Sequence, residues 1–128
     1  MPLLKPPLRG ETQTDGVIVT KAVLRAAEQL KLPQRTLARV LGVSEASVSR
    51  MAAGTVTLAP SEKSFELAIL FVRLFRALDA MVGGEEAVAR AWMRNPNLVL
   101  GEPPITLVQS VTGLLDVVNY LDARRARI

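Results

Sequence analysis

A chain of 128 residues, 49% hydrophobic and 22% charged, can bury roughly two thirds of its unfolded surface in one compact domain or two small ones. It has no cysteine and no histidine, which removes disulfides, thiol nucleophiles, the usual zinc ligands and the commonest general base, and argues against an enzyme, a metal site or a cofactor. The net charge of +4 comes wholly from residues 1–64, with nine Lys/Arg against five Asp/Glu, while residues 65–128 hold seven of each; this is the footprint of a nucleic-acid-binding module, although ordinary solvated cations give the same balance.

The chain opens with MPLLKPPLRGETQTDG, rich in Pro, Gly and Thr and without a sustained period, which reads as a flexible arm over residues 1–16. Three prolines stand where a signal peptide has its apolar core, and the longest uncharged apolar run, Leu67 to Val72, falls far short of the ~20 residues of a membrane span. The expectation is a cytoplasmic protein with no membrane partner. Thr20 is then expected to cap a helix in which Val23, Leu24, Ala27 and Leu30 recur at helical spacing, with Pro33 stopping it. Residues 34–54 read as two short helices around a tight turn, and TVTLAPSE as a linker. In KSFELAILFVRLFRALDAMVGG, Phe65, Ile69, Val72, Phe75 and Leu78 form one stripe and Leu67, Leu70, Phe71 and Leu74 a second, so this helix should be buried on more than one side, either in the core or against a second subunit. Gly83 and Gly84 end it. Glu85 and Glu86 favour the start of a next helix that runs to about Met93, with Trp92 as a core anchor and Asn95-Pro96-Asn97 as a turn. Pro103 and Pro104 lead into a short helix, and a last helix turns Leu114, Val117, Val118 and Leu121 to one face. The fold class is all-α.

The most legible motif lies in residues 34–53. A helix-turn-helix needs a small residue where the helices cross, a turn residue that tolerates unusual backbone angles, and apolar residues that lock the crossing. Ala38, Gly42 and the set Leu37, Leu41, Val43, Val48 and Met51 meet these needs, with Ser44 placed to cap the second helix. A plain helical hairpin with a glycine turn is the simpler alternative. With Val48 and Met51 inward, Ser44, Glu45, Ala46 and Ser49 face base edges, and Arg50 can reach guanine or a phosphate. Gln34 and Arg35 are placed for DNA-backbone contacts, and Arg39, Lys31 and Lys63 are weaker candidates. One arginine and one carboxylate make a thin reading surface, so a monomer should bind operator DNA weakly and a dimer should be needed.

The spacing of Ala38, Gly42 and Val48 resembles the helix-turn-helix of Xre/Cro-like regulators. Downstream, AWMRNPNLVLGEPPITLVQSVTG followed by LLDVVNYL resembles the C-terminal toxin-binding domain of the Xre/MbcA/ParS antitoxins. The matching positions are Trp92, Pro96, Asn97, Leu100, Gly101, Pro104, Leu107, Gly113, Val117 and Leu121. The resemblance implies a helix-turn-helix DNA-binding domain at 17–62 and a helical dimerisation and toxin-binding domain at 63–128. It also implies a homodimer that neutralises a RES-domain toxin, which consumes NAD or transfers ADP-ribose from it, and that represses its own operon. The family's C-terminal tail lies at the entrance of the toxin's NAD pocket; here that assigns Arg124, Arg125, Arg127 and Ile128 to the toxin. Relatives often end in a Gly-containing, aromatic-tinged tail, whereas this chain ends in arginines, and Glu102 stands where the pattern has a second glycine. Two other readings fit the residues: a stand-alone regulator whose second half only dimerises, and a ligand-sensing regulator.

Overall fold

Helical periodicity governs the whole chain: the computed structural model describes residues 9–125 as seven α-helices, with no strand among them. Helix α1 spans Arg9–Gln29 and buries Val23, Ala26, Ala27 and, just past its end, Leu30, the i, i+3, i+4, i+7 pattern of a packed face. It begins well before the expected cap at Thr20. Residues 1–8 of the expected arm lie outside the described residues, and residues 9–16 are the first turns of α1. Thr20 is a buried interior residue whose Oγ1 donates to the Gly16 carbonyl at 2.6 Å and accepts from the Leu58 amide at 2.9 Å. A Cβ on Gly16 would stand 2.5 Å from the Leu58 carbonyl oxygen. Gly16, expected in the arm, and Thr20, expected as a cap, are instead the helix positions over which the linker crosses closely.

Helices α2 (Gln34–Leu41) and α3 (Glu45–Ala52) follow, joined at Gly42, whose φ of 70° lies in the left-handed region that glycine adopts without penalty. Helix α4, Lys63–Met81, is the spine. Its buried residues Ala68, Phe71, Leu74, Ala77 and Leu78 pack it against α1 and α2 and against the last helix, so one continuous core serves the whole chain. Within the single chain Phe65, Val72 and Phe75 are half-buried, and Ile69 remains 45% exposed.

Gly83 and Gly84, both at positive φ, release the chain from α4 into α5 (Glu86–Arg94). Met93 and Ala89 are the buried anchors of α5, whereas Trp92, expected in that role, is half-buried at the edge. Pro104 opens α6 (Pro104–Leu107), and α7 (Val111–Arg125) buries Leu114, Val117, Val118 and Leu121. Each fully buried Leu or Phe contributes about 1.5–3 kcal/mol of transfer free energy. These four residues therefore hold α7 firmly on α4.

Candidate functional site

The helix-turn-helix has the geometry that its residues require. Ala38 is 5% exposed where α2 crosses α3, and Val48 and Met51 point inward at 0% and 5%. Ser44 sits in extended conformation at the start of α3, and its Oγ accepts from the Ser47 amide at 3.0 Å, one of the orphan donors of the first turn. Its hydroxyl also shares a 2.9 Å hydrogen bond with Ser47 Oγ, which in turn accepts from the Arg50 guanidinium at 3.4 Å. Ser47 was not singled out by the periodicity. It links the cap to the one arginine of the reading face.

Glu45, Ala46, Ser49 and Arg50 are all exposed on α3, and Ser44 is exposed at its start. Gln34 and Arg35 are exposed at the start of α2, where Pro33 is the cap residue and provides no side-chain bond. The first-turn amides and the helix dipole there favour an anion. Of the three weaker candidates, Arg39 donates to Gln109 Oε1 at 3.3 Å and Lys63 pairs with Glu66 at 3.4 Å, while Lys31 is exposed just past the end of α1.

The second half is a small scaffold closed by specific turns. Asn97 Oδ1 accepts from the amides of Val99 and Leu100 at 2.9 and 3.0 Å, while its carbonyl accepts from Gly101 at 2.7 Å. This turn displays Leu98 and Val99 to solvent at 102% and 75% exposure, apolar residues that no periodicity singled out. Gly113 lies against the end of α6, and its amide donates to Ser110 Oγ at 3.1 Å.

At the other end of α7 the ring of Tyr120 stacks on Trp92 with centroids 6.2 Å apart. The Arg124 guanidinium lies over the Tyr120 ring at 5.6 Å and donates to its hydroxyl at 3.2 Å, within cation–π range. Asp122 pairs with Arg73 of α4. Arg124 and Arg125 are exposed, and Arg127 and Ile128 lie outside the described residues. Among the described residues there is no group of acidic side chains that could hold a metal ion, and no helix long and apolar enough to cross a membrane.

Comparison with known families matches both halves. Residues 13–73 match the antitoxin Xre-like helix-turn-helix domain, and residues 77–127 match the antitoxin Xre/MbcA/ParS C-terminal toxin-binding domain. The chain belongs to the Xre-like antitoxins. It therefore combines a DNA-binding helix-turn-helix with a toxin-binding domain, and the two matches meet inside α4, between residues 73 and 77. No curated protein matches this antitoxin significantly.

Proposed function

We propose that this antitoxin is a cytoplasmic homodimer that neutralises a RES-domain toxin by steric occlusion and represses its own operon. In this reading residues 17–62 bind DNA and residues 63–128 dimerise and hold the toxin. The tail residues Arg124, Arg125, Arg127 and Ile128 lie across the toxin's NAD pocket and exclude the dinucleotide, so the antitoxin itself performs no chemistry. The match of residues 77–127 to a toxin-binding domain carries the reading. The Trp92–Tyr120–Arg124 stack supports it by giving the tail a fixed base. Guanidinium groups suit a pocket lined by carboxylates, because they bind them bidentately.

On the DNA side, Ser44, Glu45, Ala46 and Ser49 approach base edges, with Ser44 also held as the cap. Arg50 contacts guanine or phosphate, and Gln34 and Arg35 anchor to the DNA backbone. With so few contacts, two half-sites read by a dimer supply the affinity.

The test is co-expression with the RES toxin and measurement of cellular NAD. Truncation after Ala123 retains the Arg73–Asp122 pair and the buried face of α7, so the shortened chain folds. It is expected to leave NAD unprotected; continued protection refutes the tail mechanism. Titration of operator DNA at several salt concentrations tests the second activity, and tight binding by a proven monomer overturns the requirement for a dimer.

A further inference from the structure

The face where α1 and α4 pack carries two adjoining hollows of about 300 and 400 Å³ that share Ile18, Ala22, Val72 and Arg76. Their floor is apolar. Ala22 and Ala26 leave the notch between the helices unfilled, and Ile18 and Ile69 flank it at 58% and 45% exposure. The rim is basic: Lys21 and Arg25 one turn apart on α1, Arg73 and Arg76 on α4, and Arg125 from the end of α7. Among the described residues no carboxylate lines either hollow. Arg73 is held by Asp122, but the side chains of Lys21, Arg25, Arg76 and Arg125 make no hydrogen bond or ion pair with the described residues.

We infer that this groove receives an amphipathic helix of the toxin, with its apolar stripe on Ile18, Ile69 and Val72 and carboxylates on its flanks toward Lys21, Arg25, Arg76 and Arg125. This rests on the reading of the chain as an antitoxin whose tail grips the toxin. A notch between two packed helices, open for about two turns, accepts a third helix through anchors at i, i+3/i+4 and i+7. The charge fixes the partner's character. A second copy of this chain would set these described rim cations against their own kind, whereas an acidic helix neutralises them. Arg125 belongs to both the rim and the tail, so a toxin held by the tail lies against the groove. The contact therefore extends beyond residues 77–127 onto α1 and the first half of α4.

The experiment uses the full chain and the toxin, with Arg25→Glu, Arg76→Glu and Ile69→Ser made separately. The two arginines are exposed, so charge reversal tests the groove without disturbing the core; circular dichroism checks each variant's fold, and light scattering its oligomeric state. Each reversal is expected to weaken toxin binding about tenfold, mostly through slower association, and added salt should weaken wild-type binding as well. Ile69→Ser should weaken binding while leaving the oligomer intact. Unchanged toxin affinity in both charge variants overturns the inference while leaving the antitoxin reading standing. Dissociation of the oligomer by Ile69→Ser assigns the groove to a second copy and also overturns it. Failure of the wild-type chain to bind the toxin overturns both.

Discussion

Gly113→Ala is the sharpest test of how the toxin-binding half is assembled, because two effects of opposite sign compete there. Gly113 sits in the first turn of α7, where alanine is intrinsically better than glycine by about 1 kcal/mol. Propensity alone therefore predicts a more stable protein. The structure predicts the reverse: a Cβ would stand 2.0 Å from the Leu107 carbonyl oxygen, 2.7 Å from its carbonyl carbon and 3.0 Å from its Cα. All three are backbone atoms of the last residue of α6, and the same carbonyl accepts from the Ser110 amide at 3.2 Å. No rotamer relieves the clash, so α6 and α7 must move apart by more than about 1 Å, at the upper end of the 1–3 kcal/mol usual for overpacking. Subtracting the propensity gain leaves a loss of about 2 kcal/mol. With an unfolding entropy of about 2.1 cal/mol/K per residue, this lowers the Tm of a chain of this size by about 7 °C. Calorimetry of the purified variant measures it. A Tm equal to or above that of the wild type refutes the close approach of α6 and α7.

Two further substitutions read local hydrogen bonds. Ser44→Ala removes the cap that accepts from the Ser47 amide and should cost about 1 kcal/mol, a Tm lower by about 4 °C, together with weaker operator binding; an unchanged melting curve would show that the cap contributes nothing. Thr20→Val keeps the shape of the side chain but leaves the buried Leu58 amide without its acceptor, a loss of about 1–3 kcal/mol by chemical denaturation, while Thr20→Ser should retain most of the stability. A loss in Thr20→Ser with none in Thr20→Val would show that the methyl group, and not the hydroxyl, matters.

What the sequence made legible was whatever depends on period and local chemistry. Val48 and Met51 inward, Gly42 left-handed, Ser44 as cap, and Leu114, Val117, Val118 and Leu121 on one buried face all follow from residue type and spacing. The misreadings arise where a residue answers to a distant partner. Gly16 looks like part of an arm and Thr20 like a helix cap until Leu58 is seen to cross them. Trp92 looks like a core anchor until Met93 is seen to occupy the core and the indole to stack on Tyr120, 28 residues away. In the same way the apolar surplus of α4 was visible in the sequence, but its period could not show that Ile69 faces an open groove.

Long-range contacts of this kind also join the toxin-binding half to the DNA-binding half. Carbonyls at the C-terminus of α1 lack partners within the helix, and guanidinium groups from α5 meet that of Gln29 and those of Leu30 and Lys31 just past it. Arg90 Nε donates to the Gln29 carbonyl at 2.8 Å, and Arg94 donates to those of Leu30 and Lys31 at 3.0 and 2.7 Å. Two positive charges at a helix C-terminus also oppose its dipole favourably. Lys31 itself takes a positive φ of 55°, a turn that ends α1 and leads through Pro33 directly into α2. The α5 arginines thus complete the turn that aims Gln34 and Arg35. With α4 common to both family matches and one core throughout, there is no hinge sequence between the halves that could let them move independently. The end of α1 and the start of α2 are thus joined to α5 by backbone-directed hydrogen bonds and to the rest of the fold by close-packed side chains, not by a linker.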